Sequence, residues 1–371
     1  VERNLMSTKI AALLFLSLLP LGSHALDDIV LPPGFAIEEF ADVPNARSMA
    51  MGERGTLFVG NRKGRAVYAV VRQGGETQTL RVIGGLKSPN GIAVHNGDLY
   101  VAEIDRVTRY RDIEDHLSDL PEGEVLDIEL PTERHHGWRY IAFGPDGKLY
   151  ISIGAPCNVC DTEGFARIDR MNPDGSEREV FASGVRNSVG FTWQPGTDSF
   201  WFTDNGRDMM GDDMPSDELN HAPRQGLHFG FPYCHAGDIP DPKYGDGERC
   251  DDYTAPVQKL GAHVAALGIE FYNGTMFPEE YRGQIFLAEH GSWNRSKKAG
   301  YRITMVRLDG DEPVSYEPFA RGWLQNEAVS GRPVDLLVLA DGSMLVSDDF
   351  AGKIYRITYS PPTTVSTATY E

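Results

Sequence analysis

The stretch Tyr140-Ile-Ala-Phe-Gly-Pro-Asp-Gly-Lys-Leu-Tyr150 decides the fold, because two apolar runs flank a Pro-Asp-Gly turn within it. Proline presets the backbone of such a turn, the aspartate side chain hydrogen-bonds the nearby backbone, and glycine tolerates a positive φ. Two apolar runs joined in this way are typical of an antiparallel β-hairpin. The second run continues to Ser152, so a strand of large apolar residues ends on a polar side chain.

The same pattern of a turn, an apolar strand and a polar end occurs six times along the chain. If the anchors are Leu57, Leu99, Leu149, Phe200, Ile285 and Met344, the spacings are 42, 50, 51, 85 and 59 residues. Repeats of roughly 40–50 residues built from strands are typical of propeller blades. The sequence therefore predicts an all-β fold, a six-bladed β-propeller. Two β-sandwich domains are the structural alternative.

Two further features refine this prediction. The run Phe35-Ala-Ile-Glu-Glu-Phe40 is expected to pair with the last blade and to close the ring. The long interval of 85 residues predicts an insertion around residues 221–260, which contains Cys234 and Cys250. We therefore expect residues 26–371 to form a single propeller domain with one insertion.

Composition sets broad limits on function. With 41% hydrophobic and 24% charged residues, the chain has globular composition, and its 40 glycines and 23 prolines indicate many turns between short elements. The formal net charge of -19 argues against nucleic acid or an anionic membrane surface as a partner.

The N-terminal region has the pattern of an export signal. A short basic start, Met6-Ser-Thr-Lys9, precedes the apolar run from Ile10 to Leu19, and Ser23-His-Ala25 offers small residues for cleavage. We expect residues 1–25 to be a signal peptide and the protein to be periplasmic or secreted, without stable membrane insertion. The apolar run is short for a spanning helix, and an N-terminal membrane anchor is the alternative.

Four cysteines fit an exported protein. Asp161 follows Cys157-Asn-Val-Cys160 where a c-type haem motif needs histidine, and Cys234 and Cys250 do not form a second CxxC. The simplest expectation is two disulfides, Cys157–Cys160 and Cys234–Cys250, although four cysteines allow three pairings. A redox-active CxxC is the alternative.

Polar residues occur where each predicted hairpin begins and ends. Because a hairpin brings these two positions to the same end, six hairpins in a ring direct them to one face near the axis. Histidines and arginines together with carboxylates at one face are typical of a polar ligand site, whereas solvated ion pairs are the alternative. The residues include Asn45, Arg47, Asn61, Arg62, Asn90, Glu103, His135, His136, Arg186, Asn187, Asp204, Asn205, His263, Glu289, His290, Arg332, Asp348 and Asp349.

Several of these positions lie in motifs of a known family. The chain resembles the soluble quinoprotein sugar dehydrogenases, especially the L-sorbosone dehydrogenase-like branch, which bind pyrroloquinoline quinone (PQQ) and calcium. The motifs stand in order from about Leu31 to Tyr359: Pro32-Pro-Gly-Phe35, His136-Gly-Trp-Arg139, Gly184-Val-Arg-Asn187, Thr203-Asp-Asn-Gly-Arg-Asp208 with Gly211-Asp-Asp-Met-Pro-Ser-Asp-Glu-Leu-Asn220, His290-Gly-Ser-Trp-Asn-Arg295, and Gly331-Arg-Pro333 ahead of Ser347-Asp-Asp-Phe-Ala-Gly352.

The resemblance implies a general base. In the family this residue is the histidine eight positions before the turn glycine, which is His136 when counted from Gly144. Neutral imidazole near pH 7 suits the removal of a hydroxyl proton while hydride leaves carbon. The neighbouring His135 is expected to be a loop histidine.

The resemblance also implies cofactor ligands. PQQ carries three carboxylates, which arginines bind in bidentate geometry. By the motifs, Arg186, Asn187, Arg332 and Arg295 are expected beside PQQ, with Lys298 as a neighbouring candidate. Calcium ligands are expected near Asp212 and Asp213, in the loop before Asp217-Glu218.

The function implied is PQQ- and calcium-dependent oxidation of an aldose or sorbosone-type sugar, at a CH-OH or aldehyde group, with a periplasmic electron acceptor reoxidising the quinone. Two alternatives stay open: a calcium-dependent lactonase-like hydrolase, and a non-catalytic carbohydrate-binding propeller. The hydrolase would need an axial cage that activates water, for which Glu103, Asn205 and Asp348 are candidates. No Rossmann glycine motif is evident ahead of a helix.

Overall fold

Antiparallel sheets make up almost all of the regular secondary structure in the computed structural model of the protein, which describes residues 24–362. Within that range, helical structure is limited to one α-helical turn (His24–Asp27) and three 3₁₀ turns (Ile113–Asp115, Cys250–Asp252 and Glu279–Tyr281). No helix within that range has the length and the hydropathy needed to cross a membrane. The signal peptide expected at residues 1–25 lies outside the described residues except for its last two positions, and it stays a prediction.

The strands follow the chain as six blades. After β1 (Phe35–Asp42), blade 1 contains β2 (Ala46–Met51), β3 (Leu57–Asn61), β4 (Ala66–Gln73) and β5 (Glu76–Gly84). Blade 2 contains β6 (Gly91–His95), β7 (Asp98–Ala102), β8 (Val107–Tyr110) and β9 (Glu124–Val125). Blade 3 contains β10 (Ile141–Phe143), β11 (Leu149–Ile153), β12 (Arg167–Met171) and β13 (Glu179–Ser183).

Blade 4 begins with β14 (Phe191–Trp193), β15 (Phe200–Asp204) and β16 (Ser216–Ala222). A segment with β17 (Leu227–His228), β18 (Cys234–His235) and β19 (Ile239–Pro240) follows, and the blade is completed by β20 (Gln258–Ala262). Blade 5 contains β21 (Ala266–Phe271), β22 (Ile285–Glu289), β23 (Arg302–Asp309) and β24 (Glu312–Arg321). After the small hairpin of β25 (Leu324–Gln325) and β26 (Ala328–Val329), blade 6 contains β27 (Pro333–Val338), β28 (Met344–Asp348) and β29 (Lys353–Tyr359).

The first strand closes the ring. β1 pairs antiparallel with β29, from Phe35 opposite Tyr359 to Asp42 opposite Lys353, and is the outer strand of blade 6. Closure of this kind pairs an edge that would otherwise stay open. The six-bladed propeller and the closing role of β1 are thus confirmed, and two sandwich domains are excluded.

The six anchors of the sequence repeat all lie in the second strand of a blade, and each is fully buried. Burial of a side chain of this size contributes about 1.5–3 kcal/mol, so the repeat marks the main stabilising contacts between blades. In the predicted hairpin of blade 3, Ile141 pairs with Ile151 and Phe143 with Leu149. Its turn residue Gly147 has φ 72°, a conformation that favours glycine.

The segment between β16 and β20 packs beside blade 3. β17 pairs in parallel with β13, and the segment contains the disulfide Cys234–Cys250. The second disulfide, Cys157–Cys160, lies in the loop after β11. The structure thus has the simplest of the three pairings.

Candidate active site

A cleft of about 350 Å³ lies at the face of the ring where the second strands end. Loops from several blades line it, as expected from hairpins whose open ends converge. His136, Arg186, Asn187 and Arg332 all line this cleft, whereas Arg295, Asp212 and Asp213 do not. Four of the seven predicted site residues are therefore brought together.

The loop before β10 holds His136 in an unusual backbone conformation. His136 has φ 48°, a left-handed conformation that is uncommon outside glycine and occurs often at functional sites. Two neighbours fix the loop. Arg139 is buried and donates to the carbonyls of Ile104 and Pro131 at 3.1 and 2.8 Å. A Cβ at position 154 would lie 2.6 Å from the Cβ of His136, so Gly154 allows the close packing.

The imidazole of His136 is arranged as a neutral base. Its Nδ1 lies 2.9 Å from the carbonyl oxygen of Ala155, and because a carbonyl only accepts, Nδ1 carries the proton. Nε2 is left as the acceptor, with no hydrogen-bond partner in the described part of the chain. Burial, then the charges of Arg186, His135 and Arg62, hold the pKa of His136 well below that of an ordinary histidine. His135 is more exposed, and its ring lies 4.1 Å from that of His136.

Arg186 is buried and its guanidinium is held on several sides. Nε and Nη2 donate to the carbonyl and side-chain oxygens of Asn158 at 2.8 and 2.9 Å, and Nη1 donates to the carbonyl of Asn205 at 3.0 Å. Nη2 also lies 3.2 Å from the carboxylate of Asp208. Asn158 stands between the two cysteines of the Cys157–Cys160 disulfide, so this disulfide constrains the residue that orients Arg186.

Asn187 presents its side-chain amide to the cleft, because its backbone is already engaged. Its N–H donates to Asp204 at 2.6 Å, and its carbonyl accepts from the Asn205 side chain at 3.1 Å. Within the described residues its side-chain amide has no hydrogen-bond partner. An amide held in this way is available to a polar ligand.

Arg332 and Arg47 lie on the opposite wall. Arg332 donates to the carbonyls of His290 and Gly291 at 3.0 and 2.8 Å. Arg47 is 1% exposed and pairs with Asp349 at 3.0 Å, and Asp349 also accepts from Nε2 of His290 at 2.8 Å.

Charge on this wall is fixed by the same contacts. Burial lowers the pKa of His290 to about 4, so its imidazole is neutral at pH 7. Although burial alone would raise the pKa of Asp349, the hydrogen bond from His290 and the charge of Arg47 hold it below its usual range. An ionised Asp349 thus lies between His290 and Arg47.

Arg62 lies between the two walls and differs from the other arginines. Its guanidinium stacks over the ring of Trp138 at 3.7 Å, and no hydrogen bond from it is formed within residues 24–362. Burial, together with the charges of Arg47 and Arg332, lowers the pKa of Arg62 to about 10, so it remains cationic at pH 7.

Buried carboxyl groups support the floor of the cleft on blade 4. Asp217 accepts from the backbone N–H groups of Gly206 and Ala265 at 2.8 and 2.6 Å. Burial raises the pKa of Asp217 to about 6 and that of Glu218 to about 7. These groups brace the loops around the cleft rather than point freely into it.

The predicted calcium ligands and Arg295 form a separate contact outside the cleft. Arg295 pairs with the exposed Asp213 at 2.8 Å, and Asp212 accepts from the backbone N–H of Ser296 at 2.9 Å. Across residues 24–362, no cluster of three or more His, Cys, Asp or Glu has the geometry of a metal site. The predicted calcium role of Asp212 and Asp213 therefore gains no support from their positions.

Sequence reasoning placed Arg47, Arg62, His263 and His290 at the polar face without assigning them a role. Their positions in the sequence pattern indicated this, since all four begin or end a hairpin. The family motifs, however, assign no role to the blade 1 residues Arg47 and Arg62. Trp138 was seen only as part of the His136-Gly-Trp-Arg139 motif, and its contact with Arg62 joins positions 76 residues apart.

The fold and the cleft together define the protein as a six-bladed propeller with an arginine-rich cleft on one face. A family model described as TrAA12-like matches residues 29–360, and the chain belongs to this family. An uncharacterized protein of Borreliella burgdorferi is 32% identical over 354 residues, which cover 89% of this chain and 90% of that protein.

Solved structures agree with this placement. A carbohydrate-active enzyme of family AA12 from Trichoderma reesei superposes with a TM-score of 0.78 at 20% identity, over 90% of this chain and 98% of that chain. The holo form of the PQQ domain of pyranose dehydrogenase from Coprinopsis cinerea gives 0.76 at 19% identity, over 89% and 97%. The chain therefore has the fold of the soluble PQQ-dependent sugar dehydrogenases, which confirms the resemblance seen in the sequence.

Proposed function

We propose that the protein is a quinoprotein sugar dehydrogenase, which oxidises a CH-OH or aldehyde group of an aldose or sorbosone-type sugar by hydride transfer to PQQ. One observation carries the proposal: Arg47, Arg62, Arg186 and Arg332 converge on one cleft with a neutral histidine whose Nε2 is available. The names of the structural relatives, a carbohydrate-active enzyme and a pyranose dehydrogenase, support the same chemistry.

The donor set of the cleft fits PQQ. A rigid ligand with three carboxylates needs cationic N–H donors on more than one side, and guanidinium groups provide them in a planar arrangement. The contacts of Arg47 and Arg332 leave one terminal nitrogen of each without a partner among the described residues. Asn187 adds a free amide. Arg186, Asn187 and Arg332 would hold the cofactor, as the sequence predicted, and Arg47 and Arg62 would join them.

Calcium, the second cofactor that the family resemblance implies, is not matched by the carboxylates predicted to bind it. The carboxylates of Asp212 and Asp213 bind the loop at residues 295–296, and they do not form a cage with a third acidic group. These side chains do not fit a calcium site in the present arrangement, and we assign no step of the reaction to the ion.

His136 acts as the general base in this proposal. When bound, PQQ supplies a two-electron acceptor that takes hydride from carbon. Nε2 of His136 removes the hydroxyl proton, and the hydrogen bond from Nδ1 to Ala155 keeps the ring in the required tautomer and orientation. The low pKa keeps the imidazole neutral, so it is ready to accept a proton at pH 7. General bases of this kind contribute about 10²- to 10⁴-fold in rate.

The cell compartment and the electron acceptor extend this proposal. Two disulfides favour an oxidising compartment, so we place the protein in the periplasm or outside the cell. There an external electron acceptor would reoxidise the cofactor.

Reconstitution tests the function directly. Purified protein is titrated with PQQ, with and without Ca²⁺, and dye reduction is then measured with a panel of aldoses. We expect quinone binding and sugar-dependent dye reduction. His136→Ala should lower the rate by about 10²-fold or more while it retains quinone binding. His135→Ala is the matched control, and a larger loss there than in His136→Ala would assign the base to His135.

The two alternatives are outcomes of the same experiment. Failure to bind quinone, with sugar binding retained, would indicate a carbohydrate-binding propeller. Lactone hydrolysis would indicate the hydrolase. The proposed cage for the hydrolase is disfavoured, because Asn205 lines the cleft whereas Glu103 and Asp348 do not.

A further inference from the structure

A second cavity, of about 700 Å³, lies beside the cleft on the same face of the ring. Loops of blades 1 and 2 and the loop before β10 form its walls. We call it the basic groove and define it by its charged residues, which are Arg62, Lys63, Arg65, Lys87, Asp105 and Arg134. Five cations and one carboxylate give this groove a formal charge of +4, in a protein whose net charge is -19.

The cations of the basic groove are poorly neutralised by the protein. Lys87 pairs with Asp105 at 2.6 Å, and Arg65 donates only to the carbonyls of Leu86 and Gly85. Within residues 24–362, no carboxylate pairs with Arg62, Lys63, Arg65 or Arg134. Five like charges in one cavity repel one another, and an anionic ligand would relieve that repulsion.

The basic groove communicates with the cleft through one pair of side chains. Arg62 and Trp138 line both cavities. The Trp138 ring lies 5.7 Å from the ring of His136 on one side, and Arg62 stacks on it at 3.7 Å. The stacked pair Arg62–Trp138 therefore forms the shared wall between the basic groove and the part of the cleft that contains the base.

We propose that the basic groove binds the anionic part of a carboxylated saccharide, a sugar chain with uronic acid units whose end is oxidised in the cleft. The proposal rests on the proposed function for the identity of the cleft. Arginine forks match planar carboxylates, and the volume lies in the range of small-molecule sites rather than of flat protein interfaces.

Direct binding to the quinone-free protein tests this inference separately from catalysis. Calorimetry at low salt compares trigalacturonate with the neutral maltotriose. We expect trigalacturonate to bind at least about tenfold more tightly, since two or more charge contacts of modest strength add up to that ratio. Equal affinity for the two saccharides would overturn the proposal, as would tight binding of sucrose octasulfate in place of trigalacturonate.

A pair of charge reversals localises the binding. Lys63→Glu with Arg134→Glu should abolish the preference for trigalacturonate; both residues are exposed, so the fold should tolerate the change. Arg72→Glu with Arg224→Glu is the matched control, because both arginines are exposed, have no carboxylate partner among the described residues and line neither cavity. The control should keep the preference, and loss in both variants would contradict a local site.

Quinone titration of the same samples separates the two proposals. Quinone binding without a preference for trigalacturonate would refute the basic groove alone. A preference without quinone binding would refute the proposed function and leave an anionic-saccharide site. The charge reversals could instead lower only the rate of electron transfer to an acidic protein acceptor and leave saccharide binding unchanged. The basic groove would then be a protein-docking surface, and the inference would be wrong.

Discussion

The cleft and the basic groove are neighbouring cavities rich in cations, but three of the four cleft arginines are held by protein acceptors, against two of the five cations of the basic groove. In the cleft, Arg186 and Arg332 donate to backbone carbonyls, and Arg47 pairs with a buried carboxylate. In the basic groove, Lys63 and Arg134 are exposed and have no partner among the described residues.

This difference suggests two kinds of ligand. Side chains held in advance lose little conformational entropy on binding, so they suit a rigid cofactor that must be placed accurately. Exposed lysines and arginines pay more entropy but adapt to ligands of several shapes, as a sugar chain requires. Arg62 belongs to both cavities, which makes it the residue through which one site can influence the other.

The test with the largest expected effect removes Arg186, the cation of the cleft with the most protein contacts. We expect Arg186→Ala to weaken PQQ binding by about 100-fold, since a buried charge-assisted interaction is lost and its partners are left unpaired (about 3 kcal/mol). Arg186→Lys should still lose about tenfold, because one ammonium group cannot replace the contacts to Asn158, Asn205 and Asp208.

Absorbance titration with PQQ gives the affinity, and thermal melting confirms that each variant is folded. Arg224→Ala is the control, since this arginine is exposed and lines neither cavity. An affinity of folded Arg186→Ala within twofold of the parent would show that the braced arginine does not bind the cofactor.

The next test compares the two disulfides. Replacing Cys157 and Cys160 by serine should weaken PQQ binding by about fivefold to tenfold, because Asn158 loses its constraint and orients Arg186 less well. Through chain entropy, a loop this short contributes about 2 kcal/mol to global stability, less than a longer loop would.

Replacing Cys234 and Cys250 by serine is the matched control with the reverse expectation. This disulfide closes a loop across 16 positions, so its loss should lower the free energy of unfolding by about 3 kcal/mol. Quinone affinity should change by less than about twofold, because the described contacts of Arg186 do not involve it. Equal effects of the two pairs on quinone binding would contradict a specific role for Asn158.

Salt concentration should affect ligand affinity differently in the two cavities, although by less than the substitutions above. Between about 0.01 and 0.15 M salt the Debye length falls from roughly 30 to 8 Å, which screens exposed charges much more than buried ones. We expect trigalacturonate affinity to fall by about fivefold and PQQ affinity by about twofold or less. Calorimetry and quinone titration over the same salt series measure both, and a steeper dependence for PQQ would reverse the proposed contrast.

Much of the fold was accessible from sequence, because the repeat is local. Most anchor strands, such as residues 149–153, have their turn and their partner strand within about ten residues, so pattern and turn chemistry are sufficient there. Closure by β1 was also predicted, from its apolar run alone. The segment after β16 is different: its parallel pairing of β17 with β13 joins residues 45 positions apart, and no local pattern encodes it.

The candidate site likewise contains residues that local motifs mark and residues that meet only in the folded protein. His136, Arg186, Asn187 and Arg332 were predicted because motifs mark them, and they do line the cleft. Arg62 and Trp138 meet only in the folded ring. Arg295 belongs to a motif, but its side chain turns to Asp213, a contact across 82 positions that the motif does not reveal.

The prediction with the smallest expected effect tests whether the charge of Arg62 lowers the pKa of His136. A general base works in its neutral form, so kcat/KM should fall as pH drops through its pKa. Burial, Arg186, His135 and Arg62 all lower the pKa of His136, which places this acidic limb below the pH at which an ordinary histidine titrates.

Arg62→Gln removes one positive charge, so the pKa of His136 should rise and the limb should move to higher pH. Arg65→Gln is the control, because Arg65 lines the basic groove but not the cleft and is not among the main groups that shift the pKa of His136, so the limb should stay in place. Profiles of kcat/KM against pH with a neutral aldose measure the shift. An unmoved limb in Arg62→Gln, or an equal shift in both variants, would mean that the basic groove and the cleft act as electrostatically independent sites.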